Sequence, residues 1–179
     1  MAGKTNPQVG ENGIIDHPEF LEFFIEQLKD IYWAEKHLAT ALPKMQKAAT
    51  SQSLALAFEK HKIETDMHIL TLEEVFDLLG EKVAAKKCDA MAGLLEEAGT
   101  VINETDRGSM VRDAALIAAA QKVEHYEIAT YGTLRVFAAH LGQTEVAKLL
   151  SQTLANEKDT DLALTAIAES FVNEQAASE

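Results

Sequence analysis

Apolar residues recur along this chain at alternating three- and four-residue steps, the signature of helices with one buried face. A first helix is expected to open with Asp16 as its N-cap and Pro18 and Glu19 in its first turn, and to run to about Ala49. Leu21, Phe24, Leu28, Ile31, Leu38, Leu42 and Met45 share its inner face. Pro43 should kink this helix or end its regular part early, because proline removes one backbone donor. After the short connection "TSQS", a second helix over roughly 53–79 carries Leu54, Phe58, Leu72, Val75 and Leu79 and stops at Gly80.

From 80 to 108 the period lapses. "EKVAAKKCDA" is polar, "MAGLLEEAGTVI" suits one short helix, and "NETDRGS" reads as loop. A third long helix follows from about Ser109 to Leu141, closed by Gly142, with Leu116, Ala120, Val123, Leu134 and Phe137 inward. A fourth, about 144–171, carries Leu150, Leu154, Leu164, Ile167 and Phe171. Two tight helical hairpins joined by one long crossover describe an all-α, ferritin-like four-helix bundle with a short extra helix in the crossover. The competing arrangement is a bundle with another packing order. The expected organisation is a flexible tail over 1–15, a bundle domain over 16–172 and a C-terminal tail over 173–179.

Polar residues interrupt every inner stripe. In "HKIETDMHIL" the steps of the second helix land on His61, on Glu64 or Thr65, and on His68. On the first helix the stripe passes through Glu35. On the third it meets Glu127, with Glu124 one turn back, and on the fourth Glu157 and Asp161. One such carboxylate is ordinarily a stripe-edge group reaching water. Four matter if they share a level. Glu35 and Glu64 lie fifteen and fourteen residues from the first hairpin turn near residue 50, and Glu127 and Glu157 each fifteen from Gly142. At ~1.5 Å per residue all four sit about 21–22 Å from their turns. "ETDMHILT" also resembles "EKDTDLAL", aligning Glu64 with Glu157 and His68 with Asp161. Carboxylates crowded in a low-dielectric interior repel or take up protons, whereas two divalent cations balance four of them. Oxygen and imidazole donors without thiolate suit iron or manganese, with zinc also possible. Two ions per chain, roughly 3.5–4 Å apart, are expected; a solvated polar layer that fixes helix register is the plainer alternative.

Composition narrows the setting. The 179 residues carry a formal net charge of −13 with no basic stripe, which argues against a nucleic-acid or anionic-membrane partner. The single Cys88 excludes an intrachain disulfide framework and fits a reducing compartment. "MAGKTNPQVGENG" has no apolar h-region, and no run approaches the ~18 apolar residues that span a bilayer. A cytoplasmic location is the expectation. His125 points about 100° away from Glu124 and reads as a surface or supporting residue. His37 and His140 read as solvated, Tyr32, Tyr126 and Tyr131 as core or hydrogen-bonding residues, and Cys88 as structural.

Four stretches, "DIYWAEKHLATALPKM", "HKIET", "KKCDAMAGLLEEA" and above all "VRDAALIAAAQKVEHYEIATYGTL", carry a family resemblance. Over about 17–170 the chain resembles the YciF/YciE-type bacterial stress proteins of the ferritin-like superfamily. The resemblance implies a four-helix bundle with an inter-hairpin helix, a dinuclear iron-type site, homodimeric assembly and a link to stress, but no settled reaction. Ferritin-like sites usually carry Glu-x-x-His on two helices; here the third residue after Glu64 is Met67, and after Glu157 it is Thr160. The family's "HxxET" pattern ranks His61 above His68 as a ligand, and Glu124 with Glu127 is similar to the paired glutamates of rubrerythrin-like sites.

On that basis Glu64 and Glu157 are expected to bridge two metal ions, iron first among them. Glu35 and Glu127 would be terminal, with His61, Glu124 and Asp161 completing the shells and His68 in reserve. The expected activity is reaction with dioxygen or peroxide. Two alternatives are a metal-stapled structural or interaction protein without turnover, and peroxide disproportionation by a manganese catalase-like centre. Oxygen uptake on ferrous loading separates the first two, and peroxide turnover with manganese identifies the third.

Overall fold

The computed structural model describes residues 18–179. The expected tail over 1–15 and the Asp16 cap lie outside the described residues. Five main helices are present: α1 Pro18–Ala48, α2 Gln52–Leu78, α3 Asp89–Glu104, α4 Met110–His140 and α5 Thr144–Ile167. The last continues through a π-helical stretch, Ala168–Val172, and a final turn, Asn173–Ala176. Among the described residues no helix is long and apolar enough to cross a membrane.

Local chemistry sets these boundaries. Ser51 caps α2 by accepting from the Leu54 N–H, and Ser109 caps α4 by accepting from the Arg112 N–H. Buried Cys88 does the same for α3 through the Met91 N–H, a structural role for the thiol. At the other ends Gly80 and Gly142 adopt φ of +70° and +72°. There Glu81 N–H donates to Phe76 C=O and Gln143 N–H to Ala138 C=O, closing each helix in a Schellman motif. Pro43 does not end α1. The Ala49 N–H still donates to Met45 C=O, and Leu42 and Met45 are buried on either side, so packing carries the helix past the missing donor.

α1 and α2 form one antiparallel hairpin, α4 and α5 the other. α2 packs on α5, α1 on α4, and α3 lies across α1 and α4. This is the expected bundle with its crossover helix. Within the buried face of each long helix one seam of positions repeats with period seven. They are Phe24, Leu28, Ile31, Glu35, Leu38, Leu42 and Met45 on α1, and Leu54, Phe58, His61, Thr65, His68, Leu72 and Val75 on α2. On α4 they are Asp113, Ile117, Ala120, Glu124, Glu127, Tyr131, Leu134 and Ala138, and on α5 Val146, Leu150, Thr153, Glu157, Thr160 and Leu164. Strict four–three alternation is the seam of helices that supercoil around one another. Every seam turns polar at mid-bundle.

One buried carboxylate does purely architectural work. Asp113, at the foot of α4, accepts from the backbone N–H groups of Thr50 (2.6 Å) and Ser51 (2.8 Å), pinning the α1–α2 turn to the second hairpin. Hydrogen bonds to a charged group contribute about 1.5–3 kcal/mol each. Asp113→Ala is therefore expected to destabilise the bundle by roughly 2–4 kcal/mol in urea unfolding, since two half-buried backbone donors lose a charged partner. A loss under about 0.5 kcal/mol, the range of ordinary surface substitutions, would show the pin to be dispensable.

Candidate metal centre

The mid-bundle layer draws one residue from α1, two from α2, two from α4 and one from α5. His61, Glu124, Glu127 and Glu157 each offer a donor atom within 4.8 Å of the others, and so do Glu35, His68 and Glu157. Both groups are buried, and Glu157 belongs to both. His61 Nε2 lies 3.2 Å from Glu124 Oε1; His68 Nδ1 lies 2.9 Å from Glu157 Oε1 and 3.5 Å from Glu35 Oε1.

Two expected residues stand outside these groups. Glu64 sits at the rim, where its Oε1 accepts from Asn156 Nδ2 (2.9 Å) and Lys60 Nζ (2.5 Å). Asp161 lies further out, with Oδ1 3.0 Å from Gln121 Nε2 and 3.4 Å from His125 Nε2. The seams explain both. At each of these levels the seam position belongs to the neighbouring threonine, Thr65 or Thr160, and a residue one step away is turned about 100° off it. Exposed His125 stays at the surface, as do His37 and His140.

The layer is electrostatically incomplete. Ten buried side-chain nitrogen and oxygen atoms lack a hydrogen-bond partner among the described residues, and all belong to Glu35, His61, Glu64, His68, Glu124, Glu127 and Glu157. Elsewhere in natural interiors such atoms are rare, because each costs about 1–3 kcal/mol. Burial, aided by Glu35, Glu157 and Glu124, drives the Glu127 carboxyl far above its ordinary range. Burial likewise raises Glu157, to about 7, against the opposing pull of His68. For the imidazoles burial alone would lower proton affinity, but the facing carboxylates win. Glu157 and Glu35 raise His68 to about 11, and Glu124 raises His61. At the rim burial pushes Glu64 up, yet Lys60 and Asn156 outweigh it and hold the carboxyl low.

Four buried carboxylates and two imidazoles, aimed at common points and short of partners, fit two divalent cations in charge and in donor chemistry. Glu35, Glu124, Glu127 and Glu157 together offset two dipositive ions, and the donor set holds no thiolate. Supporting contacts come from residues outside the expected ligand set. Tyr131 Oη donates to Glu35 Oε1 (2.5 Å), leaving Oε2 without a partner, and Asn156 Oδ1 faces His68 Nε2 at 2.7 Å. Tyr131 carried a signal, since a tyrosine on a core seam needs a partner for its hydroxyl. Asn156 carried none, being a common residue one step off the seam.

Residues 19–177 match the family described as a domain of unknown function, DUF892. The chain belongs to the DUF892 family. Within reach of this match, protein YciF of Escherichia coli K12 is 49% identical over 156 residues, covering 87% of this chain and 93% of that protein. The crystal structure of the E. coli stress protein YciF superposes with a TM-score of 0.82 at 48% identity, over 86% of this chain and 97% of that one. YcfI of Rhodopseudomonas palustris, described as a candidate structural protein, gives 0.78 at 39% identity over 82% and 92%. A Xanthomonas campestris protein gives 0.70 at 22% identity over 89% and 97%, a likeness of fold alone. The resemblance to YciF-type proteins of the ferritin-like bundle class is thus established across most of the chain.

Proposed function

We propose that this DUF892 protein is a ferritin-like metal protein that holds two ions, iron foremost, in its mid-bundle layer and reacts there with dioxygen or peroxide as part of a stress response. The carrying observation is the pair of donor groups that share Glu157 and contain nearly all the unpartnered buried polar atoms. His61, Glu124 and Glu127 would hold one ion, Glu35 and His68 the other, with Glu157 between them. Iron bound in this way supplies electrons for reduction of the oxidant. The chain's own contribution is to fix the donors on helix interiors, exclude bulk water through the surrounding seam residues, and hold Glu35 in place through Tyr131. The Glu35–His68 side offers three protein donors against four on the other, which leaves it better suited to admit a small exogenous ligand. Likeness to the E. coli stress protein supports the physiological setting.

A second reading draws on the description of the R. palustris relative as a candidate structural protein. In that case the ions staple the bundle and nothing turns over. Anaerobic Fe(II) titration of the metal-depleted chain distinguishes the readings. Two ferrous ions per chain, followed by oxygen or peroxide consumption on exposure to the oxidant, are expected. Binding of two ions with no oxidant consumed would favour the structural reading, and absence of binding would remove both.

A further inference from the structure

Asn156 touches the metal layer from outside it. Its amide bridges two residues of α2: Nδ2 donates to Glu64 Oε1 at 2.9 Å, and Oδ1 lies 2.7 Å from His68 Nε2. The orientation of that amide is settled by its neighbour. Glu64 is held in its ionised form by Lys60 and can only accept, so the nitrogen end of Asn156 must face Glu64 and the oxygen end must face His68. An amide oxygen cannot donate, so Nε2 must carry a hydrogen. In the neutral ring that leaves Nδ1 bare. Nδ1 is the atom that faces Glu157 and Glu35, with no aligned hydrogen bond of its own.

We infer that Asn156 is the positioning residue that makes His68 a metal donor through Nδ1, by keeping the proton on Nε2 and anchoring the ring against α5. The inference rests on the dinuclear reading above and deepens it, since it assigns the ligating atom and the residue that selects it. It also separates the two histidines. Among the described residues His61 has no such partner: its Nε2 faces Glu124 within the layer, and its Nδ1 meets no hydrogen-bond acceptor or donor.

The test uses the full chain, depleted of metal and titrated with Zn(II), which is diamagnetic and redox-silent. In the wild-type protein loaded with zinc, nitrogen NMR of the His68 side chain should show a protonated Nε2 and a metal-bound Nδ1. Asn156→Leu keeps the approximate volume and removes the acceptor; it should weaken one of the two zinc ions by about 10–100-fold and leave the other unchanged. Asn156→Asp restores an acceptor to Nε2 and should return that affinity close to the wild-type value. A merely structural asparagine predicts the reverse order, because a new carboxylate beside Glu64 harms packing more than leucine does. Two tight zinc ions in Asn156→Leu, or coordination of His68 through Nε2 in the wild type, would overturn the inference while leaving the metal centre intact. Failure of the wild-type chain to bind zinc at all would overturn both.

Discussion

Glu157→Gln is expected to abolish tight binding of both metal ions, whereas Glu127→Gln should leave one ion bound. Glu157 is the one residue common to the two donor groups, so loss of its charge removes a ligand from each and one of the four negative charges that balance the ions. Glu127 contributes to one group only. Supporting partners of metal ligands typically cost 10–100-fold in affinity when removed, and a shared ligand should cost more than about 100-fold at each position. Metal analysis after gel filtration gives the readout: zero ions per chain for Glu157→Gln, one for Glu127→Gln and two for the wild type. Retention of two ions by Glu157→Gln would mean that the groups do not share a bridging carboxylate, and the dinuclear reading would fail. Both substitutions are close to isosteric and replace carboxyls that burial already disfavours as anions, so neither should unfold the metal-depleted bundle.

The second large effect is a reversal of pH dependence on metal loading. In the metal-depleted bundle, Glu157 keeps its proton up to about 7, against an ordinary value of 4.5. Between those values the unfolded chain releases a proton that the folded chain retains, so stability falls as pH rises. His68 acts in the same direction over a higher window. It holds its proton to about 11 against an ordinary 6.5, so the stability linked to that proton is complete below 6.5 and is lost toward 11. The depleted protein should therefore be most stable near pH 5 and weaken steadily into the alkaline range. Bound metal ions would displace these protons, so their affinity should rise with pH over the same interval. At free metal a hundredfold above the dissociation constant they add ~2.7 kcal/mol. For a chain of this size that corresponds to a rise in Tm of roughly 5–10 °C. Thermal unfolding with chelator and with saturating metal, at pH 5 through 8, should show the gap opening with pH. A gap independent of pH, or a depleted protein that gains stability from pH 5 to 8, would contradict the site.

Much of this was legible in the sequence, and the misplacements share one cause. The four long helices and the crossover helix follow from period, caps and glycine stops, and their ends fall within a few residues of expectation. Glu35, His61, His68, Glu124, Glu127 and Glu157 lie on stripes that the alternating steps pick out. The same steps leave a choice of one residue at each turn, however, and a straight helix of 3.6 residues per turn resolves it differently from a supercoiled seam of 3.5. On α2 the seam chooses Thr65 over Glu64, and on α5 it chooses Thr160 over Asp161. Matching Glu64 to Glu157 by local similarity therefore paired a rim residue with a central one. Pro43 illustrates a different limit, since a lost donor costs less than the burial of Leu42 and Met45 returns. Asn156 illustrates a third: its role depends on which atom of His68 faces outward, and no spacing rule encodes a tautomer.

The Asp113 pin and the shared carboxylate together bear on the order of events in folding. Each donor group draws on both hairpins, the first joining His61 of α2 to residues of α4 and α5, the second joining Glu35 and His68 to Glu157. Neither hairpin alone can complete either group. The contacts within each hairpin are close in sequence and form early, while those between hairpins must close a loop across the whole crossover. Under the dinuclear reading, docking, with Asp113 seizing the α1–α2 turn, would come before loading. Metal uptake would then be a late step that lengthens the life of the docked state by slowing unfolding and leaves the rate of hairpin formation alone.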